Sequence, residues 1–424
     1  MEITGALNPE GEHQAGDLLF ISNGHGEDLN GSLICAALQA LAPQLRLAAL
    51  PIVGSGGAYR KRSLPLLVQG RDLPSGGMVY QGWNLWKDLV SGWIPQTIRQ
   101  IRAARRQGPG FQLVLSVGDH VPLLFAWLSG RPTVVFLVST SSYYEGKLRL
   151  SPLTRWLCRR RAVRLVLTRD AFTARDLQAQ GLAKAQFLGY PIMDALDLPP
   201  ARSTELAQTA PQQASDDGVA IALLPGSRFP EAQDNLALML QLCEQLVHRA
   251  PQRPWRFEAA VVPGTDDHVL AQQLRQLGWK RSGADELLSA TGAARVRLSS
   301  DAFAAILQRS RLVVGMAGTA VEQAVGLGKP VVQLVGRGPQ FSYAFAEAQM
   351  RLLGEAVFTV GEQPAGQREL QAASALICTL LDDPDLPQLC HQCGLERVGR
   401  PGGSVAIAQA LLAQLAQPKG PAQA

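Results

Sequence analysis

Charge is sparse in this chain: 18% of its residues are Asp, Glu, Lys or Arg, while 46% are hydrophobic. Disordered chains and coiled coils carry much more charge, so both are excluded as the main architecture. Cysteine is scarce as well. The six cysteines are scattered, and only Cys390 and Cys393, flanking His391 and Gln392, approach a metal-ligand spacing. A second such pair is missing, so the thiols read as reduced and no metal is expected. No uncharged apolar run reaches about eighteen residues. The longest candidate, residues 121–138, is broken by Arg131 and Pro132. That excludes a helix spanning a membrane. Residues 1–16 have no basic stretch leading into an apolar one, so no secretory signal is expected and the compartment reads as cytoplasmic. A P-loop, a GxGxxG fingerprint and a Ser/His/Asp nucleophile motif are also missing.

What is present is an α/β rhythm. At 424 residues, the chain is long enough for two or three domains. Short apolar runs at 18–22, 45–53, 112–117, 133–138 and 164–168 alternate with helical patterns. They are continuous rather than alternating, as parallel strands covered on both faces require. Residues 197–218 are rich in Pro, Ser and Gln and break this rhythm. It then restarts, with strands at 219–224, 257–262, 311–315 and 330–335, and helices at 231–249, 320–327 and about 404–415. The expectation is two Rossmann-like domains facing across a cleft. The first would cover 1–198, a linker 199–218 and the second 219–424, ending in the helix at about 404–415. Ligands of such sheets bind at the carboxyl ends of the strands, so the loops there carry the chemistry.

Four such loops stand out. Ser22–Asn23–Gly24–His25–Gly26–Glu27–Asp28 follows the first strand, before a helix expected from about Asp28. Gly24 and Gly26 permit close approach of a ligand or positive φ, and the acids suit sugar hydroxyls better than phosphate. Read blandly, the same segment is a glycine turn with Asp28 capping the helix. In the second half, Leu224–Pro225–Gly226–Ser227–Arg228 turns sharply at a strand end. Ser227 and Arg228 would sit at the cleft mouth, where the guanidinium fork suits a diphosphate; otherwise Arg228 is a surface ion-pair partner. Gly315–Met316–Ala317–Gly318–Thr319–Ala320–Val321–Glu322 joins a strand to a helix whose first N–H groups can hold phosphate. Glu322 is placed there to meet ribose hydroxyls, or is a surface residue. Finally, Val117–Gly118–Asp119–His120 offers a carboxylate able to act as general base, or a helix N-cap with a rim histidine. Asp383–Pro384–Asp385 has the spacing of a metal-binding DxD motif but reads as a helix stop.

These motifs together resemble a known family. LPGSR after a strand, followed by GTAVEQAVGLGKPVV, is similar to lipid-A-disaccharide synthase and, more broadly, to the two-domain GT-B glycosyltransferases. SNGHGEDLNGSLI, VGDHVPLLFA and RVGRPGGSVAIAQALL match the positions of that family's glycine-rich loop, aspartate loop and C-terminal stretch, and the last of these implies a C-terminal helix closing back. The resemblance runs from about residue 17 to 415 and points to a divergent branch. It implies that Arg228 contacts the UDP diphosphate, Gly318 and Thr319 bind phosphate through their backbone, Glu322 holds the ribose and Asp119 is the base. Gln340 and Gln349, in GPQFSYAFAEAQMRLLG, stand in for the family's asparagine-rich segment. His120 and His25 are the competing catalytic candidates, with Ser227, Gly24 and Gly26 facing substrate.

The expected activity is transfer of a hexose or hexosamine from a UDP-sugar to a lipid-linked acceptor, without a cofactor. A UDP-sugar epimerase on the same fold, or a non-catalytic nucleotide-sugar or lipid binder, are the alternatives. The charge distribution favours an anionic partner: residues 60–184 hold 20 basic and 6 acidic side chains. No RNA- or DNA-binding module accompanies them, so nucleic acid is not expected. Trp83, Trp86 and Trp93 precede Arg99, Arg102, Arg105 and Arg106, and Trp156 precedes Arg159–Arg161. Segments 78–106 and 147–164 therefore read as a peripheral contact with an anionic membrane, or as core helices with solvated basic faces.

Overall fold

The computed structural model describes residues 16–70, 93–196, 218–262, 267–283, 285–338 and 341–417. Trp83, Trp86, the proposed linker up to 217 and Gln340 lie outside these residues. The chain divides into two compact units.

The first unit runs to Ser142 and adds Lys147–Pro191 and the chain from Gly402. Its elements are β1 (Gly16–Ser22), α1 (His25–Leu41), β2 (Leu47–Pro51), α2 (Gly57–Arg60), α3 (Trp93–Arg106), β3 (Phe111–Val117), α4 (His120–Leu128), β4 (Thr133–Leu137), α5 (Pro152–Arg159), β5 (Val163–Thr168), α6 (Ala171–Ala179) and β6 (Ala185–Gln186). The six strands form one parallel sheet in the order β2-β1-β3-β4-β5-β6. Its central strands are almost wholly buried, which explains why they read as unbroken apolar runs. One sheet face packs Leu19, Ile21, Leu50 and Val114 against Ala104 of α3 and Phe125 of α4. The same layer continues through Val135 and Val166 to Leu157 of α5 and Leu177 of α6.

The second unit holds β7 (Val219–Leu224), α7 (Glu231–Arg249), β8 (Trp255–Ala260), α8 (Asp267–Gln276), β9 (Lys280–Arg281), β10 (Glu286–Leu288), β11 (Arg295–Ser299), α9 (Phe303–Arg309), β12 (Leu312–Gly315), α10 (Thr319–Gly326), β13 (Val331–Leu334), α11 (Tyr343–Leu353), β14 (Val357–Val360), α12 (Gln367–Asp382) and α13 (Leu386–Arg397). Its eight strands order as β14-β13-β12-β7-β8-β11-β10-β9. All pairings are parallel except those of β10 with β9 and β11. The last helix, α14 (Gly403–Leu415), follows the second unit in sequence but belongs to the first. There it packs beside α1 and β3, and Arg164 donates to the carbonyl of Gln414 at its end, where a helix favours cations.

Several expectations shift. Helix α1 begins at His25 rather than near Asp28, because the Asp28 N–H already bonds to the carbonyl of Gly24. His25 and Gly26 are therefore first-turn residues and not loop residues. Neither Gly24 nor Gly26 has positive φ; Gly24 is an extended N-cap. The antiparallel β9–β10 edge was not anticipated. Its strands are two and three residues long, too short to show a period. Helix α3 buries Gln96, Gln100, Ala103 and Ala104 and exposes its four arginines. Gln100 donates to the carbonyls of Pro51 and Ile52, tying the helix to the end of β2. Among the described residues no helix is long and apolar enough to cross a membrane.

One buried charge is fixed in the second sheet. Glu258 in β8 is 4% exposed. It accepts hydrogen bonds from Arg309 of α9 and from Arg256. Burial pushes its carboxyl up, but the two guanidinium groups outweigh burial and hold it below the usual carboxylate range. The group therefore stabilises the fold above the pKa of an unfolded Glu, and that contribution is lost as pH falls through the lower folded value. Glu258→Gln should cost about 1–3 kcal/mol at neutral pH, the scale of hydrogen bonds to a charged group, because the Arg256 and Arg309 guanidinium groups left behind remain partly solvated. Urea unfolding should also show a smaller loss of stability between neutral and acidic pH in the variant than in the wild type.

Candidate functional site

In an open parallel sheet, ligands gather where the strand order reverses. In the first unit the reversal lies between β1, whose other neighbour is β2, and β3. The loops leaving these strands are Asn23–Gly24 and Gly118–Asp119, two of the segments singled out in the sequence. They are joined side chain to side chain. Asn23 Nδ2 donates to Asp119 Oδ1 at 2.8 Å, and the same oxygen accepts the N–H of Val121 at 2.8 Å. Asp119 is thus the N-cap of α4. Its Oδ2 lies 3.9 Å from Nδ1 of His120, and the two side chains are 29% and 49% exposed. Gly118 makes the approach possible: its φ is +133°, and a Cβ there would fall 2.2 Å from Oδ1 of Asn23. From the next strand over, Ser139 donates to Glu27 at 2.5 Å. His25 is exposed at the start of α1.

Beneath this edge runs a buried polar chain. Tyr59 Oη donates to Ser22 Oγ at 3.0 Å, and Ser22 Oγ donates to Asp28 Oδ1 at 2.6 Å. Burial first, then the charge of Asp28, pushes the Tyr59 hydroxyl well above its ordinary pKa. It remains a donor across the physiological range, so the chain keeps one direction. Asp28 is therefore an internal strut and not a helix cap.

The second unit repeats the logic at β7 and β12, where its strand order reverses. The Met316 N–H donates to the carbonyl of Leu224 at 2.9 Å, closing the two strand ends together. Gly226, at φ +98°, leaves only 3.0 Å between a would-be Cβ and the Met316 carbonyl. Asn235 of α7 holds the Pro225 carbonyl from inside, at 2.9 Å. Ser227 is exposed and Arg228 half-buried. Among the described residues the Arg228 guanidinium has no hydrogen-bond or ion-pair partner. Gly318 is the N-cap of α10, Thr319 its first residue and Glu322 a half-buried member of its first turn. The early N–H groups of such a helix have no acceptor within it and carry the positive end of its dipole.

The phosphate-loop candidate is held in shape by amides that sequence reasoning placed differently. Gln349 is not a ligand contact: it is 4% exposed, and its Nε2 donates to the carbonyls of Ala317 and Gly318, each at 3.2 Å. Its Oε1 accepts from Gln333 at 2.5 Å, and Gln333 accepts from Thr359 at 3.0 Å. A chain from β14 through β13 to α11 thus fixes the loop after β12. Asn23, Ser139 and Gln333 were likewise not expected in these roles. For Asn23 a signal existed, since a polar residue between a strand end and a glycine is well placed to bridge loops.

Cys390 and Cys393 are buried in α13, Cys393 donates to the Leu353 carbonyl, and burial pushes the Cys390 thiol up to about 12. Among the described residues no cluster of three His, Cys, Asp or Glu is placed to hold a metal ion. A shallow apolar crevice lined by Pro225, Gly226, Phe229, Gln233, Val261 and Val262 adjoins Arg228. A wider open groove, about 590 Å³, lies along α6 at Ala171, Arg175, Gln178 and Phe187 and contains none of the motif residues.

No protein-family model and no curated protein matches the chain in sequence. Solved structures match it in fold. The calicheamicin glycosyltransferase superposes with a TM-score of 0.57 at 14% identity, over 95% of this chain and 100% of its own. A spinosyn rhamnosyltransferase complexed with thymidine diphosphate gives 0.52 at 16% identity, over 93% and 99%. The UDP-GlcNAc 2-epimerase from Neisseria meningitidis, bound to UDP-GlcNAc, gives 0.51 at 14% identity, over 94% and 100%. Likeness at such identity speaks to architecture alone: the chain has the GT-B fold, which glycosyltransferases and UDP-GlcNAc 2-epimerases share.

Proposed function

We propose that the protein is a glycosyltransferase that moves a hexose or hexosamine from a UDP-sugar to a lipid-linked acceptor. The observation that carries this reading is the unpartnered Arg228 guanidinium at the strand-order reversal of the second unit. The start of α10 lies at the same reversal. A diphosphate matches that combination of fixed cation and free N–H groups. The nucleoside diphosphate and nucleotide sugar bound in two of the structural neighbours support the choice of donor. The motif resemblance to lipid-A-disaccharide synthase supports a lipid-linked acceptor and, with it, peripheral association with a membrane.

In the proposed mechanism the second unit binds the donor. Arg228 and the backbone N–H groups of Gly318 and Thr319 meet the diphosphate, and Glu322 meets the ribose. An acceptor hydroxyl attacks the anomeric carbon. The new C–O bond forms as the bond from that carbon to the phosphate oxygen breaks, and UDP leaves with its added charge offset by Arg228 and the helix start. The hydroxyl proton passes to Oδ2 of Asp119, the oxygen that does not cap α4. His120 and His25 are the rival bases. An epimerase reading has the fold of the Neisseria enzyme in its favour. It differs in one checkable respect, because an epimerase converts UDP-GlcNAc with no acceptor present.

Calorimetry with UDP tests the donor site. Arg228→Ala should weaken binding by about 1–3 kcal/mol, the scale of a charged hydrogen bond, and Glu322→Ala should do likewise. Wild-type affinity in both folded variants would reject the assignment.

Turnover of UDP-sugar with a lipid extract tests the base. Asn can keep both hydrogen bonds that Oδ1 of Asp119 accepts, so Asp119→Asn should fold and bind UDP normally. Its turnover should drop by about 10²–10⁴-fold, the range for losing a general base. A mild effect there with a severe one in His120→Ala or His25→Ala would transfer the role to that histidine.

A further inference from the structure

Helices α3, α4 and α5 cover one face of the first sheet, and their inner sides are accounted for by the core. Their outer sides are not. Trp127, near the end of α4, and Trp156, in α5, are each 46% exposed, and Leu153, one turn before Trp156, is 48% exposed. The two indoles meet edge to face with centroids 6.3 Å apart. Arg160 lies over the Trp156 ring at 4.8 Å. Not one acidic residue occurs in these three helices. The exposed charges of these helices are cations instead: Arg159, Arg160 and Arg161 follow Trp156 at the end of α5, and α3 exposes four arginines. Trp127 lies eight residues beyond Asp119, about 12 Å along the helix axis, so the patch is separate from the candidate catalytic edge.

We propose that this face docks the protein on an anionic lipid surface, with Trp127, Trp156 and Leu153 entering the headgroup layer. An indole is apolar with a single polar N–H, which suits the boundary between headgroups and acyl chains. Two neighbouring exposed indoles beside a leucine form the kind of apolar patch that marks an interaction site. The exposed arginines of these acid-free helices decide which partner fits, because phosphate headgroups attract them. A nucleic acid would also attract the arginines, but it would stack bases on open ring faces. Here Arg160 covers a Trp156 face and Trp127 meets the same indole edge to face. The proposal deepens the membrane association put forward with the lipid-linked acceptor and rests on that reading, but no donor-site residue takes part, so vesicle binding and UDP binding fail separately.

The test uses the full-length protein and extruded vesicles of phosphatidylcholine, with or without an equal part of phosphatidylglycerol, in a co-sedimentation assay. Wild type should sediment with the anionic vesicles at low salt, and much less with phosphatidylcholine alone or at high salt. Trp127→Ala with Trp156→Ala should lower the partition about tenfold or more, and Arg159→Gln with Arg160→Gln should lower the salt-sensitive part about tenfold or more. Each pair should keep the wild-type melting temperature, and the polar pair serves if the aromatic pair does not fold. Failure of wild type to sediment with anionic vesicles overturns the proposal. So does wild-type partition in both folded variants, or capture of a single-stranded oligonucleotide with no vesicle binding.

Discussion

Parallel strands buried on both faces leave their side chains no room for chemistry, so everything functional is pushed to the strand ends. Among the parallel strands of each unit the order reverses once, at β1 and β3 and at β7 and β12. Each reversal is cross-tied at close range. Asn23 bonds to Asp119 in the first unit. In the second, the Met316 N–H bonds to the Leu224 carbonyl, with Gly226 pressed against the carbonyl of Met316. Bulk at Gly118 would drive into Asn23 and part the tie. The placement of Asp119 and Arg228 thus follows from sheet topology and from two glycines that admit close approach.

Both edges are also braced from beneath by buried polar chains. Tyr59, Ser22 and Asp28 brace the start of α1; Thr359, Gln333 and Gln349 brace the start of α10. Buried polar groups are costly when unpaired, and a network that satisfies them rigidifies its surroundings. Such bracing suits loops that must hold a fixed shape when a charged ligand arrives. It also explains why exposed residues of the motifs, such as His25 and Ser227, sit beside interiors rich in amides and hydroxyls rather than in apolar side chains.

The central strands of both sheets were readable because full burial makes them unbroken apolar runs, whereas β6, β9, β10, β11 and β14, shorter or less buried, were not read. The loops after them were readable because strand ends are where such sheets bind ligands. What could not be read depends on distant partners. Asn23 and Asp119 are 96 residues apart, and a local pattern gives no hint of their bond. Gln349 looks like a ligand contact in a polar-aromatic segment, and only the packing of α11 turns its amide inward. That helix α14 closes back was implied by the resemblance alone; its contacts with α1 and β3 of the first unit are ones that no periodicity records. Trp156 stood out beside its arginines, but Trp127 lay inside the apolar run 121–138, and its exposure emerges only once the inner face of α4 is assigned to the core.

The central claim is that the reversal between β7 and β12 is a nucleotide site. Hydrogen–deuterium exchange with and without UDP tests it directly, because it reads every amide at once. The account predicts slowed exchange in peptides covering 225–228 and 316–322, with peptides covering 119–128 unchanged by UDP alone. No change at 225–228 and 316–322, or protection confined to the first unit, would contradict it.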